Sequence, residues 1–406
     1  MKKIGFVSLG CSKNLIDTEV MLGILRDHHM EMTEDLSEAN IIIVNTCTFI
    51  EKAKQESIDT ILQASEYKKT GVCELLIVTG CLSQQYQKDL LKELPEVDAL
   101  LGTGSWNRIW EAIKEAQKGD RPCYMDDVHH LYDDETSRLR TTPSYSAYVK
   151  ISEGCNNGCT FCIIPHVRGS LVSRPVNSVV AEVQKLAADG VKEINLIAQD
   201  TTSYGVDLAG RSLLPDLLRK LVTIDGIRWI RLFYLYPHYF TDELMDLIVK
   251  EDKICSYVDL PLQHISQSVL ERMNRRDSQE DVLALIKKLV SHGRKLTLRS
   301  TFIVGFPGET EEEFRELCQF VEDTKFDDVG VFTYSREEGT PAARMEDQIP
   351  EEVKEERYHQ LMAIQAKVSE ERNQELEGSV HTMLVERVEE ENGICQAVGR
   401  IEVQAP

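Results

Sequence analysis

Three cysteines, Cys155, Cys159 and Cys162, stand in a C-x3-C-x2-C pattern within SEGCNNGCTFCIIP. Three thiolates on one tight loop can bind three irons of a 4Fe-4S cluster and leave the fourth iron open to an external ligand. The pattern could also represent buried small side chains, a zinc loop or half of a ferredoxin site. Because zinc sites usually combine two ligand pairs and ferredoxin runs add a fourth cysteine, the spacing favours the cluster.

A second set of cysteines, Cys11, Cys47 and Cys81, shares no local motif. Each cysteine directly follows a predicted strand, in SLGCSKN, VNTCTFI and VTGCLSQ. Ligands of open parallel sheets gather outside the carboxyl ends of the strands, so these three thiols are expected to converge. We predict a second cluster here, with one iron that lacks a cysteine ligand. The other five of the eleven cysteines have no partner at a metal-binding spacing.

The composition is that of a globular protein. The chain has 406 residues, of which 42% are hydrophobic and 28% charged, which excludes disordered, collagen-like and disulfide-stapled classes. No apolar run reaches the roughly 18 residues of a membrane span, and the start of the chain lacks a signal-peptide cleavage site. We therefore expect a cytoplasmic protein without membrane contact, in which cysteines serve metal binding, catalysis or packing.

The net charge of -22 bears on the partner. Non-specific nucleic-acid binding depends on Lys and Arg that neutralise phosphates, and this surface would repel them. A basic protein, or a small anion held by a local site, is the expected partner.

The elements that must position the cysteines follow from hydrophobic periodicity. Over residues 1–120, short apolar runs alternate with amphipathic stretches, which predicts a parallel sheet with helices on both faces. Residues 121–145 lose the periodicity and collect Pro, Asp, Ser and Thr, so they are predicted to be a linker. The fold class is thus α/β.

The alternation resumes over residues 146–349. Six predicted strands with helical patterns between them fall short of the eight of a closed barrel, so we expect a partial (β/α)6 barrel of the TIM type. A charged helix over 350–378 leaves the barrel. Residues 379–406 begin another β unit with HTMLVERV, and we expect this unit to be incomplete because so few residues cannot form an independent core.

Polar residues at the ends of the barrel strands are candidates for the cofactor or the substrate. Each could equally form a turn or a cap, and a glycine could allow the backbone to approach a ligand closely. The candidates for the cofactor are Gln199, Gln263, Arg299 and Gly305, and those for catalysis or substrate are Asp200, His264 and Arg168.

The motif C-x3-C-x-aromatic-C, with Phe161 in the aromatic place, resembles the radical S-adenosylmethionine superfamily. The resemblance implies that the amine and carboxylate of S-adenosylmethionine bind the open iron, and that electron transfer cleaves the sulfonium to a 5′-deoxyadenosyl radical. It also implies that Phe161 lies near the cofactor.

A three-cysteine α/β domain ahead of such a barrel resembles the methylthiotransferase family. The segments SLGCSKNLIDTE, LPEVDALLGTG, DLPLQHISQSVLERMNRR and TFIVGFPGETEEEF are most similar to the branch that modifies an aspartate of small-subunit ribosomal protein twelve. This implies two 4Fe-4S clusters, two molecules of S-adenosylmethionine and an electron donor such as a flavodoxin or a ferredoxin. One cluster would serve hydrogen removal from the aspartate β-carbon, and the other would present sulfur.

The family ends in a small TRAM-like β-barrel that binds the macromolecular substrate, and residues 379–406 are expected to represent a truncated form of it. Three alternatives remain open from the sequence. They are a transfer-RNA adenosine methylthiotransferase, a two-cluster electron-transfer protein and a structural zinc protein.

Overall fold

The computed structural model describes residues 2–291, 296–391 and 394–406. The first part of the chain folds around a parallel sheet, which confirms the predicted α/β class. Its strands are β1 (Lys3–Ser8), β2 (Glu31–Thr33), β3 (Ile41–Thr46), β4 (Leu75–Gly80), β5 (Ala99–Leu101) and β6 (Cys123–Tyr124), and its helices are α1 (Ser12–Asp27), α2 (Glu51–Thr70), α3 (Cys81–Glu93) and α4 (Ile109–Ala116).

The strands of this sheet follow the order β2-β1-β3-β4-β5-β6, and all neighbouring pairs are parallel. Every residue of β3 and β4 is buried. The reason is that α1 and α4 pack on one face of the sheet while α2 and α3 pack on the other, which favours the continuous apolar runs seen in these strands. Since β1, β3 and β4 are neighbours, the residues after their carboxyl ends share one edge.

The segment 121–145, predicted as a linker, is more structured than its composition indicates. Cys123–Tyr124 pairs with β5 as the last strand of the sheet, so the sheet extends beyond residue 120. Arg138 donates to Glu19 of α1 at 2.8 Å and to Glu182 of the following domain at 2.8 Å. A strand of two residues shows no alternation, and a buried ion pair leaves no periodic signal, so neither feature could be predicted from pattern.

The second part of the chain forms the predicted partial (β/α)6 barrel. Its strands are β7 (Ser146–Lys150), β8 (Ser152–Glu153), β9 (Val172–Ser173), β10 (Glu193–Ile197), β11 (Trp229–Leu232), β12 (Tyr257–Asp259), β13 (Thr297–Val304) and β14 (Asp328–Thr333), and its helices are α5 (Ile164–Arg168), α6 (Val176–Ala188), α7 (Val206–Ala209), α8 (Leu214–Leu221), α9 (Asp242–Lys250), α10 (Gln267–Arg272), α11 (Gln279–Ser291) and α12 (Glu311–Thr324). Parallel ladders β11-β10-β7 and β12-β13-β14 meet at a bridge between Ile230 and Ile254. The short pair β8-β9 is antiparallel and carries the first cysteine loop.

The last part of the chain leaves the barrel through α13 (Glu351–Gln374) and ends in a hairpin of β15 (Met383–Glu391) and β16 (Ile394–Ile401). Arg400 Nη2 pairs with Glu193 Oε2 at 2.8 Å, and Arg231 Nη1 donates to Glu402 O at 3.0 Å. The hairpin therefore packs against β10 and β11 of the barrel. None of the helices in the described ranges combines the length and the apolar character needed to cross a membrane.

Gly305, directly after β13, allows α13 to dock against the barrel. Its φ is +72°, and a Cβ at this position would lie 2.3 Å from Cγ of Lys354. Lys354 Nζ in turn donates to Tyr334 O at 3.1 Å. The sequence predicts that Gly305 lets the backbone approach a cofactor. In the structure it is the side chain of Lys354 that lies close to Gly305.

We expect Gly305→Ala to lower the free energy of unfolding by about 1–3 kcal/mol more than Gly119→Ala does, because the added methyl group collides with Lys354. Gly119 is a matched control, since its φ is +91° and a Cβ added there would meet no atom within 4 Å. Urea denaturation of both variants measures the difference. Equal losses would contradict a steric role for Gly305.

Candidate functional site

Cys11, Cys47 and Cys81 lie together at the carboxyl edge of the sheet. Cys11 precedes α1, Cys47 follows β3, and Cys81 begins α3. Gly10, at φ +83°, permits the close approach of two of these loops, because a Cβ there would lie 2.8 Å from the Cβ of Cys47. The register of β1, β3 and β4 thus brings together thiols that are far apart in the sequence.

Asn14 of α1 holds the loops around these cysteines. Its Nδ2 donates to Leu9 O at 3.0 Å and to Thr46 O at 2.8 Å. Its Oδ1 lies 3.7 Å from Cys81 Sγ, which donates to it. Sequence reasoning did not select Asn14, although it belongs to the SLGCSKN segment. A polar amide within the first turn of a helix that starts at a candidate ligand is the signal that could have found it.

Cys155, Cys159 and Cys162 lie on the loop between β8 and α5. The N–H of Cys155 donates to Gly169 O at 3.1 Å, and the N–H of Cys162 donates to Cys159 O at 3.1 Å. Arg275 Nη1 donates to Cys159 Sγ at 3.8 Å. Arg275 was also absent from the predicted site, because the loop that follows α10 reaches Cys159 only through the tertiary fold.

Burial determines the chemistry of these thiols. It raises the pKa of Cys81, Cys155 and Cys162 to about 12, and it raises the pKa of Cys47 as well. A thiolate in such surroundings requires a cation in place of the lost proton. All these cysteines are free of disulfides. Two sets of three thiols therefore fit iron–sulfur clusters, in which thiolates bind iron.

Both sets of thiols line one cavity of about 1570 Å³. Within the described part of the chain, no three His, Cys, Asp or Glu side chains could hold a single metal ion. A 4Fe-4S cluster does not need such a group, because each thiolate binds a different iron. The two cysteine sets thus open onto one shared cavity.

Four of the predicted cofactor residues also line this cavity. They are held by neighbouring side chains: Phe161 packs against Phe306 with ring centroids 6.4 Å apart, and Arg299 Nη1 bonds Asp259 Oδ1 at 2.7 Å. The amide of Gln199 donates to Glu153. The lining positions among the predicted cofactor residues are Phe161, Gln199, Gln263 and Arg299.

Asp200, His264 and Gly305 do not line the cavity as the described residues form it. Asp200 is buried, and its Oδ2 accepts a hydrogen bond from Asn157 Nδ2 at 2.8 Å. Asn157 lies between Cys155 and Cys159, so Asp200 orients the cysteine loop. A side chain that follows a barrel strand can point away from the cavity, and Asp200 points toward the side-chain amide of Asn157.

His264 is fully buried, and its Nδ1 accepts a hydrogen bond from the N–H of Ser266 at 3.0 Å. Burial lowers the pKa of His264 to about 3, so the imidazole is neutral at neutral pH. Its surroundings make it a packed element of the barrel rather than a group that faces the cavity.

Arg168 joins the two cysteine sets through a buried ion network. Its Nη1 bonds Asp17 Oδ2 at 2.7 Å and Glu153 Oε2 at 3.0 Å, and its Nη2 donates to Asn14. Lys150 Nζ lies 2.6 Å from Asp17 Oδ1 and 2.7 Å from Glu153 Oε2. Although burial opposes it, the two cations hold the pKa of Glu153 at about 2. Two positive and two negative groups thus bridge the α/β domain and the barrel.

Comparison with known proteins identifies both domains. The model of the Radical SAM superfamily matches residues 149–321, and that of the Uncharacterized protein family UPF0004 matches residues 3–102. Ribosomal protein uS12 methylthiotransferase RimO of Geotalea uraniireducens is 52% identical over 406 residues, which cover 100% of this chain and 90% of the relative. The protein of the same name from Clostridioides difficile is 50% identical over 97% of this chain and 88% of its own length.

Solved structures with the same fold are more distant in sequence. The radical S-adenosylmethionine methyltransferase TsrM from Kitasatospora setae is 15% identical, with a TM-score of 0.61 over 84% of this chain and 77% of its own. The cobalamin-dependent S-adenosylmethionine radical enzyme OxsB is 13% identical, with a TM-score of 0.54 over 91% of this chain and 56% of its own. At these identities the likeness establishes the fold alone.

We expect Arg168→Met to lower the free energy of unfolding by about 3–5 kcal/mol, because it leaves Asp17 and Glu153 buried with one cation. The control is Arg219→Met, which removes a solvent-exposed pair with Glu243 and should change the free energy of unfolding far less. Chemical denaturation measures both losses, and limited proteolysis of segment 121–145 reports separation of the domains. A loss as small as that of the control would contradict the role of the network.

Proposed function

This chain belongs to the ribosomal protein uS12 methylthiotransferase family of radical S-adenosylmethionine enzymes, and we propose that it adds a methylthio group to the β-carbon of an aspartate of uS12. The observation that carries the proposal is that all six cysteines of the two sets line the same cavity. Hydrogen removal and sulfur insertion must take place at one carbon atom. A single cavity that both sets reach satisfies this requirement by proximity.

The proposed cofactors are two 4Fe-4S clusters and S-adenosylmethionine. Cys155, Cys159 and Cys162 would hold the cluster that, with one S-adenosylmethionine, supplies the one-electron chemistry for removing an unactivated hydrogen. The other three cysteines would hold the cluster that presents sulfur, and a second S-adenosylmethionine would supply the methyl group. The chain positions its ligands: Asp200 orients the first loop through Asn157, and Asn14 holds the loops that carry Cys11 and Cys47.

The four residues Phe161, Gln199, Gln263 and Arg299 are proposed to contact S-adenosylmethionine, because they line the cavity. The three polar residues suit different groups of S-adenosylmethionine. Arg299 carries a positive charge, and the amides of Gln199 and Gln263 can donate and accept hydrogen bonds. Arg168 is proposed as a positioning residue, since its guanidinium already bonds Asn14, Asp17 and Glu153.

The partners follow from charge and redox chemistry. A surface with a net charge of -22 attracts a basic protein by long-range steering, which favours uS12 over an RNA substrate. We also propose a flavodoxin or a ferredoxin as the electron donor and the cytoplasm as the location, since a reducing compartment keeps the thiols available for iron.

We expect the anaerobically reconstituted enzyme, given S-adenosylmethionine and a reductant, to add one methylthio group to an aspartate of uS12. Mass spectrometry of uS12 and of transfer RNA from parallel incubations tests this. Modification of the RNA alone would refute the proposed substrate. Failure to cleave S-adenosylmethionine under these conditions would instead support a two-cluster electron-transfer protein.

Reconstituted protein should contain about eight irons per chain, and the combined variant Cys11→Ala, Cys47→Ala, Cys81→Ala should retain about four, because one of two clusters loses its ligands. The matched control is Cys123→Ala, Cys318→Ala, Cys395→Ala, since none of these lines the cavity. Iron and sulfide analysis gives the result. An unchanged iron content in the first variant would refute the second cluster.

A further inference from the structure

Lys13 is a buried cation that faces the cavity between the two cysteine sets. It lies in the first turn of α1, two residues after Cys11, and is only 7% exposed. It lines the cavity, and its Nζ lies 3.3 Å from the centre of the Tyr234 ring. An ammonium group has three N–H donors, and an aromatic face covers only one side of it.

Lys13 differs from the other Lys and Arg residues that line the cavity. Each of the others already has an oxygen or sulfur acceptor, whereas among the described residues no carboxylate lies within 4.0 Å of Lys13 Nζ. The cations and their acceptors are Arg168 with Asp17 and Glu153, Arg275 with Pro261 O and Cys159 Sγ, Arg299 with Asp259, Arg372 with Asp327, and Arg400 with Glu193.

The ring that Lys13 contacts belongs to Tyr234, whose backbone conformation is unusual. This residue has φ of +58°, a conformation that non-glycine residues rarely adopt and that clusters at functional sites. Its N–H donates to Asp259 Oδ2 at 2.9 Å, and its carbonyl accepts from the N–H of Thr201 at 3.0 Å. Arg299 holds the other oxygen of Asp259 at 2.7 Å. The ring beneath Lys13 is therefore fixed by the barrel before any ligand binds.

The same short segment leads to the other cysteine set. Two residues beyond Tyr234, the ring of Tyr236 lies 4.0 Å from the guanidinium of Arg275, and Arg275 donates to Cys159 Sγ at 3.8 Å. Lys13 is thus linked through the chain to Cys11 on one side, and through Tyr234 and Tyr236 to Cys159 on the other. Any anion that Lys13 binds lies in the cavity that both sets of thiols line.

We propose that Lys13 binds the side-chain carboxylate of the substrate aspartate and so positions the β-carbon in the cavity that both cysteine sets line. The inference rests on the proposed function. The β-carbon is bonded directly to the carboxylate carbon, so an anchor on the carboxylate restricts the reacting atom to a small volume. A charged anchor also discriminates aspartate from asparagine, because a neutral amide leaves the buried ammonium unpaired.

The test uses the reconstituted holoenzyme with uS12 and with uS12 in which the target aspartate is replaced by asparagine. Binding is measured with S-adenosylmethionine but without reductant, so that no turnover occurs, and kcat and KM are measured separately with reductant. Wild-type enzyme should prefer the aspartate form by about tenfold to a hundredfold. Lys13→Met should bring this ratio close to one, and Lys13→Arg should retain part of it.

The control variant is Lys52→Met, which removes an exposed lysine that does not line the cavity and should keep the wild-type preference. Iron content and S-adenosylmethionine affinity are measured for each variant. A loss of iron in Lys13→Met would show that Lys13 supports the cluster, and an equal loss of cofactor affinity would show that it binds the cofactor. Either result overturns the inference.

Failure of the inference can be told apart from failure of the proposed function. If wild-type enzyme modifies the aspartate and Lys13→Met keeps the full preference over asparagine, Lys13 is not the anchor while the proposed function stands. If wild-type enzyme neither binds uS12 nor modifies it, the proposed function fails and the inference falls with it.

Discussion

Four buried charges lie at the contact between the α/β domain and the barrel. Arg168 and Lys150 of the barrel share Asp17 of α1 and Glu153 of β8, at distances of 2.6–3.0 Å. Removing such groups from water is costly, so the intact network adds little net stability, whereas removing one of its charges leaves another without a partner and is strongly destabilising. Here the arrangement matters because each domain carries one set of thiols, and Arg168 of the network lines the cavity that both sets share.

Local contacts then hold each set of cysteines at that cavity. On the sheet side, Gly10 allows one cysteine loop to approach another, and Asn14 joins the loops through its amide. On the barrel side, Asn157 ties the cysteine loop to Asp200. Asn14 also accepts from Arg168. The support of the ligands and the contact between the domains are therefore parts of one hydrogen-bonded system.

Two of the predicted residues, His264 and Gly305, contact neighbouring parts of the protein instead of lining the cavity. His264 is buried and bonds the backbone of Ser266, and Gly305 makes room for Lys354 of α13. His264 lies in the segment that follows β12, and Arg299 is the third residue of β13. Gln199 and Arg299 line the cavity whereas His264 does not, and their positions relative to the strands do not explain this difference.

The sequence by itself determined the α/β class, the partial barrel and the candidate cysteines, because apolar periodicity reports burial and thiol spacing reports ligand chemistry. The carboxyl-end rule for parallel strands was enough to group Cys11 with Cys47 and Cys81. Only the tertiary structure decided what depends on contacts between distant segments: the strand at Cys123–Tyr124, the ion network of Arg168, and the placement of Lys13 over Tyr234. Lys13 stands in the same short segment as Cys11, yet its role could not be read there. Whether a cation is paired or free depends on which carboxylates the fold brings near it, and no local pattern records that.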